Sequence, residues 1–402
     1  MIPVLYISYD GMTDPLGQSQ VLPYLFGLTK HGFQFHIISL EKPDRLSKFR
    51  TTIQQKCDEN GVIWHPLSFS SKIPGFSYRL NLSKLRKKAF DLQRKHNFEV
   101  THCRSYISAL IGQEMKEKFH TKFIFDMRGF WADERVDGKL WNLKNPLYKR
   151  TYNFFKRKEK EFLSDADHIV SLTENAKAEI ESWNEPKEKA AITVIPCCVD
   201  TELFAPHPTA EVALRIGLGF APDDKILGYV GSIGTWYQLP QMLDFFQFID
   251  AQDSRWKFLF VTGEDPEKIH AEARKKGIGR KNIFVTSCLH HEVPSYIELF
   301  DLSVFFIRPS YSKKASSPTK QGEIMAMGVP IVCNAGVGDT DAIVNKYKAG
   351  IVIDHYDNES FDCLEKLEKI FDKNESMKGA KEYFGLVTGI ERYLSIYKKI
   401  IH

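Results

Sequence analysis

Lys320 and Glu323 stand one helical turn apart in Ser316-Ser317-Pro318-Thr319-Lys320-Gln321-Gly322-Glu323-Ile324-Met325-Ala326-Met327-Gly328-Val329-Pro330, which is punctuated as one short helix. Ser317 suits the N-cap and Pro318 the first helical position, while Gly328 and Pro330 supply the stop. Lys320 is the odd residue, because the helix dipole favours anions in a first turn by about 0.3–1 kcal/mol. A cation there makes sense if an anion binds to it and to the free first-turn amides together. Thr319, Lys320 and Glu323 share a face. Gly322 costs about 1 kcal/mol relative to Ala inside a helix and permits a close approach to the backbone. The chemistry implied is a phosphate at Ser316, Ser317, Thr319 and Lys320, with a hydroxyl-bearing group at Glu323. The alternative is a capped core helix with a solvated Lys–Glu pair.

Other residues have the types and positions for chemistry. Gly231-Ser232-Ile233-Gly234 follows an apolar run and leads into a helix, a turn whose amides can approach an oxyanion. Gly11 and Gly17 bound a loop after the first apolar run that does not match a dinucleotide fingerprint. His102 lies on a strand. Arg128, Asp133 and Glu134 fall in a segment rich in charges and aromatics, read as a strand-end loop. Together these are acceptor-side candidates. His290 and His291 are adjacent, so they share no helix face and make a poor metal site. Lys149–Phe162 interleaves lysines and arginines with Tyr152, Phe154 and Phe155. Such a helix either lies on an anionic membrane or is solvated with a buried aromatic stripe.

The elements that must position these residues alternate strand and helix twice along the chain. The first set has strands at Val4–Ser8, Phe35–Leu40, Val62–Pro66, Glu99–Cys103, Lys122–Asp126, His168–Leu172 and Ile192–Pro196. The second has Ile226–Val230, Lys257–Thr262, Ile283–Thr286, Leu302–Ile307, Pro330–Asn334 and Ile351–Asp354. A helix over Ser19–Lys30 is expected after the first loop, and Thr173 is expected to cap Ala176–Ser182. Two such sets imply an α/β protein of two doubly wound, Rossmann-like domains, with ligands at the strand C-terminal ends in the cleft between them. At 402 residues the chain suits two domains of roughly 150–200 residues. The expected division is 1–205 and 206–384, with Ala205-Pro206-His207-Pro208 as linker and 385–402 as a last helical segment. With 43% hydrophobic and 26% charged residues the composition is globular, and a net charge of +4 is too mild to indicate nucleic acid. The seven cysteines show no zinc-like spacing and read as reduced packing residues. The N-terminal apolar run reads as a buried strand and not a signal peptide.

This order of motifs resembles the retaining glycosyltransferases of the GT-B fold, family 4, also called glycosyl transferases group 1. The resemblance rests on Pro309-Ser310 followed by Glu323-Ile324-Met325-Ala326-Met327-Gly328-Val329-Pro330-Ile331-Val332. Val194-Ile195-Pro196-Cys197-Cys198-Val199-Asp200 is similar to the segment where the family's chain crosses between domains. Ala166-Asp167-His168-Ile169-Val170-Ser171-Leu172-Thr173-Glu174 is similar to another family segment. The resemblance implies that Glu323 binds the donor ribose, and that amides near Ser316–Thr319, with Gly231 and Ser232, hold the pyrophosphate. It also implies that the last helix, within 385–402, returns to the first domain, and that the reaction is metal-independent and without cofactor, a donor phosphate oxygen taking the acceptor proton. Two features depart from the family. Ala315 stands where a first glutamate is common, in a longer loop bearing Lys313 and Lys314. The arginine and lysine that follow the family's equivalent of Gly231 are absent, a charge that Lys320, with Lys313, Lys314 or Arg308, can restore.

The expectation is a transferase that moves a sugar from a nucleotide-diphosphate sugar to a glycan or lipid-linked acceptor, in surface polysaccharide or glycolipid biosynthesis. Lys320, Glu323 and Arg128 would carry the reaction. The alternatives are an inactive GT-B protein acting as nucleotide-binding scaffold for another transferase, and a nucleotide-sugar epimerase. Neither nucleic acid nor a metal is expected as partner. The location expected is cytoplasmic, and the basic helix leaves room for peripheral contact with the inner face of the plasma membrane.

Overall fold

The computed structural model describes residues 1–71, 77–207, 211–362 and 364–401. Pro208 and Cys363 lie outside them. The chain divides into one unit of Met1–Pro196 with Leu386–His402 and a second of Cys197–Gly385. The first boundary thus precedes the expected one, because Cys197 to Phe204 fold with the second unit: Val199 bridges Gly385, and its amide donates to the Phe384 carbonyl at 2.7 Å.

The first unit holds seven parallel strands, β1 (Ile2–Ser8), β2 (Phe33–Glu41), β3 (Ile63–Ser68), β4 (Val100–Arg104), β5 (Lys122–Asp126), β6 (His168–Ser171) and β7 (Ile192–Val194). Their order is β3-β2-β1-β4-β5-β6-β7. The second holds six, β8 (Lys225–Val230), β9 (Trp256–Val261), β10 (Ile283–Thr286), β11 (Leu302–Phe305), β12 (Ile331–Asn334) and β13 (Gly350–Ile353). Their order is β10-β9-β8-β11-β12-β13. The central strands are buried on both faces, as helices on both sides of a parallel sheet require, and all but β4 are mainly apolar. Each order reverses once, between β1 and β4 and between β8 and β11. At such a reversal the connections leave in opposite directions and open a crevice at the carboxyl ends of the strands.

The expected Ser19–Lys30 helix is two helices, Pro15–Gln20 and Leu22–Thr29, because Pro23 lacks the N–H that a continuous helix needs there. Trp131 to Glu134, read as part of a strand-end loop, open the helix Trp131–Asp137, whose first-turn Asp133 and Glu134 suit the dipole. Helices at Pro266–Lys275, Thr340–Lys346 and Lys373–Gly379 join those expected. The last helix, Leu386–Ile401, buries Tyr393, Ile396, Tyr397 and Ile400 in the first unit. Gly27 admits it: a Cβ there would lie 2.3 Å from Ile390. No disulfide joins the six described cysteines.

Candidate active site

The β8–β11 crevice is walled by the Gly231 loop and by the helix Thr319–Ala326. Asn334 braces the chain leaving β11: its side chain accepts from the Ile307 amide at 2.7 Å and donates to the Ile307 carbonyl at 2.9 Å. The helix starts one residue later than expected. Pro318 is its N-cap, with no side-chain cap, and the Ser317 hydroxyl instead accepts from the Cys197 amide at 3.1 Å. The first turn therefore lacks the internal acceptor that a serine cap provides. Gly328 ends the helix at φ +67°, as its position predicts. Gly322 makes room for Phe384 and Val199, not for a ligand.

Lys320 is not solvated. It is 6% exposed, its ammonium lying 3.8 Å from the ring centre of Tyr229 and 3.7 Å from that of Tyr237. Its Nζ has no hydrogen-bond partner. The two rings offset part of the desolvation cost, each by about 0.5–2 kcal/mol, but a ring is not an acceptor. Burial pushes the ammonium well below the ordinary lysine range, with Glu323 pulling the other way. Gly231, at φ +100°, passes directly over it: a Cβ there would lie 3.5 Å from Nζ. The adjacent Ser232 is exposed, and its carbonyl is fixed by the Tyr229 hydroxyl at 2.7 Å. Glu323 is buried beside His290, Nε2 to Oε1 3.4 Å, and the His290 ring packs on Phe204. Ser316 and Thr319 are partly exposed at the helix start. Arg308 and Lys313 both lie over the Trp236 ring, at 4.9 and 3.8 Å. This arrangement offers one desolvated cation and an uncapped helix start to an anion, and a carboxylate to hydroxyls.

In the first unit, Gly11 and Gly17 shape the loop after β1 by close approach: a Cβ at Gly17 would lie 2.3 Å from the Gly11 carbonyl oxygen. Glu41, which the sequence reading passed over, anchors this loop from a fully buried position. It accepts from the amides of Met12 and Thr13 at 2.7 and 3.0 Å and from the hydroxyls of Thr13 and Ser39 at 2.5 Å. His102 does not line an acceptor surface. It is 1% exposed, enclosed by Tyr6, Tyr393 and Tyr397, with Nδ1 2.7 Å from the Tyr397 hydroxyl. The returning last helix covers it, which strand position alone did not reveal. Asp133 is committed too, accepting from Tyr152 at 2.7 Å and Lys156 at 2.9 Å. Glu134 lies beside it in the first helical turn, partly exposed. Arg128, at φ +56°, faces Asp126 at 3.9 Å.

Two family profiles match in tandem, that described as Glycosyltransferase Family 4 over residues 24–203 and that described as Glycosyl transferases group 1 over residues 213–384. The chain belongs to the GT-B glycosyltransferases. The fold of this GT-B glycosyltransferase is shared by sucrose-phosphate synthase from Thermosynechococcus elongatus, with 16% identity, TM-score 0.76, and coverage of 100% of this chain and 99% of that one. A glycosyltransferase from Rickettsia africae shares it at 15% identity and TM-score 0.71, covering 100% and 98%. Anabaena HepE, in complex with UDP and glucose, shares it at 12% identity and TM-score 0.71, covering 99% and 100%. Among curated proteins no sequence match is found.

The candidate site of this GT-B glycosyltransferase contains residues that sequence reasoning missed. Tyr229 and Tyr237 form the cradle of Lys320, and the Trp236-Tyr237 pair in the Gly231 loop was the available signal. His290 had been weighed only as a metal ligand. Arg104 ends β4 one residue beyond the expected strand end.

Proposed function

We propose that the protein transfers a sugar from a nucleoside-diphosphate sugar to a glycan or lipid-linked acceptor, with retention of configuration, for surface polysaccharide or glycolipid assembly. One observation carries this reading: the buried, hydrogen-bond-free Lys320 ammonium beneath Gly231, at the uncapped start of a helix. The donor diphosphate supplies the acceptors that Lys320 and the first-turn amides of Thr319–Ala326 lack. Ser316, Ser317, Gly231 and Ser232 line its path, and Glu323, held by His290, takes the ribose hydroxyls. The HepE complexes with UDP and with UDP-glucose support this donor class.

As the glycosidic bond breaks, negative charge grows on the leaving phosphate. Lys320 and the amides meet this charge, the kind of electrostatic stabilisation that is usually the largest single contribution. A phosphate oxygen takes the acceptor hydroxyl proton on the face from which the nucleotide departs, so no metal is needed. The acceptor docks on the first unit, near Gly11, Gly17 and Arg128. Placement of Lys320 on the helix instead of in the Gly231 loop replaces the family's missing basic pair, which disfavours the scaffold reading. Incubation with UDP-sugars, assayed for UDP release with and without EDTA, tests this. Release from one sugar, unaffected by EDTA, is expected; nucleotide binding without release from any donor would indicate a scaffold.

A second observation favours peripheral contact with an anionic bilayer. At the start of the helix Pro146–Asp165, Leu147 and Tyr148 are 66% and 38% exposed. Beside them Lys149 and Arg150 have no ion pair among the described residues. No described helix is long and apolar enough to cross a membrane. Cosedimentation with phosphatidylglycerol vesicles but not phosphatidylcholine vesicles, lost in Lys149→Glu/Arg150→Glu, is the expected result.

A further inference from the structure

The β1–β4 crevice holds a second unsatisfied cation. Arg104 is the last residue of β4, in register with Ser8 of β1 on one side and Asp126 of β5 on the other. The residue is 5% exposed. Its Nε lies 3.7 Å from Asp10 Oδ2, beyond hydrogen-bond distance, and Asp10 is itself half in solvent. Its Nη1 is enclosed and has no hydrogen-bond partner.

The nearby carboxylate of Asp126 is spread over several partners. Asp126 accepts from the Tyr393 hydroxyl at 3.0 Å, lies 3.5 Å from His102 and 3.9 Å from Arg128. Burial would raise its carboxyl, but Arg128, His102 and Arg104 together hold it below the usual range. Burial lowers the His102 imidazole below its ordinary range, with Asp126 pulling the other way. Among the described residues Arg104 itself has only Asp10 as an ion-pair partner, and that half-exposed carboxylate does not close a hydrogen bond. A buried donor left without acceptor costs about 1–3 kcal/mol. A purely structural arginine would have its fork filled, and the planar fork fits the oxygens of phosphate or carboxylate in pairs.

We infer that Arg104 binds an oxyanion carried by the acceptor, a phosphate or carboxylate. This rests on the transferase reading and narrows it to the acceptor class: a sugar phosphate, an acidic sugar or a lipid-linked phosphate. Asp10 acts as the gate residue, holding the guanidinium loosely until the oxyanion displaces it.

The test uses the full chain with its donor site saturated by UDP, then titrates inorganic phosphate and acetate by thermal shift and calorimetry. A further stabilisation above that of UDP is expected, about tenfold weaker in apparent Kd for Arg104→Gln and partly restored in Arg104→Lys. Asp10→Asn, an exposed change that leaves the fold intact, should tighten phosphate. UDP affinity should not move in any of these, which separates failure here from failure of the donor reading, where UDP itself would not bind. Glucose 6-phosphate and short-chain phosphatidylglycerol, tried in place of phosphate, distinguish a sugar phosphate from a lipid phosphate, and binding of either at Arg104 supports the inference. No response of the wild type to any of these anions, or an equal response in Arg104→Gln and Asp10→Asn, overturns it.

Discussion

Lys320 puts an ammonium where water does not reach, between the rings of Tyr229 and Tyr237. Without ligand such a group works against folding. Its folded-state affinity for the proton is depressed by burial, so the unfolded chain binds the proton more tightly, and its contribution to stability improves as pH rises towards the ordinary lysine range. Lys320→Met should therefore leave the free protein as stable or raise it by about 1–3 kcal/mol, as replacing buried charge often does. The same variant should lose its stabilisation by UDP. Lys320→Ala should cost about 2–4 kcal/mol of transition-state stabilisation in kcat/KM, the range for one positioned donor. Binding a diphosphate reverses the proton balance, because an anion restores the charged form. Calorimetry of UDP binding at alkaline pH, in buffers of low and high ionisation enthalpy, should thus report proton uptake in the wild type and none in Lys320→Met. Equal proton exchange in both would remove Lys320 from the phosphate site.

Elements place these residues through a few local devices. Gly231 turns the chain at φ +100° over the lysine. Gly231→Ala should cost about 1–2 kcal/mol in stability from backbone strain alone, read by urea denaturation, and should weaken UDP binding more than it weakens folding. The β2–β3 pair carries a different prediction. His36 Nδ1 and His65 Nε2 are 3.1 Å apart, and burial, with His96, His65 and Lys88 around His36, lowers both imidazoles to about 4. The unfolded chain holds these protons near pH 6.5, so the stability they contribute is present above that pH and fades as pH falls towards 4. For two protons the slope is at most about 2.7 kcal/mol per pH unit, and His65→Gln should flatten it in pH-dependent denaturation. Much of this level was legible in the sequence. Lys122–Asp126 and Ile283–Thr286 fall as read, because continuous apolar runs bounded by polar residues admit little else. Arg104 and the true helix cap were missed because a strand's last residue and a cap are set by what packs beside them. Asp133 looked available because its partners, Tyr152 and Lys156, arrive from a helix later in the chain.

Across the whole molecule one plan is used twice: a doubly wound parallel sheet whose reversal point carries an incompletely satisfied cation. Periodicity and the family motifs made the two sheets and the return of the last helix readable, but not its contact with His102, which spans most of the chain. That distance in sequence is why His102 looked like a ligand and is a packed core residue. If the reaction proceeds with retention, NMR of the product from an α-linked donor should show an α-glycoside, and a β-glycoside would remove the same-face mechanism. The account as a whole depends on where a nucleotide diphosphate sits. A crystal structure of the protein soaked with UDP decides it: the diphosphate oxygens should lie within hydrogen-bond reach of Lys320 Nζ and the first amides of the Thr319–Ala326 helix. A diphosphate bound elsewhere, with Lys320 still closed between its two tyrosines, would contradict it.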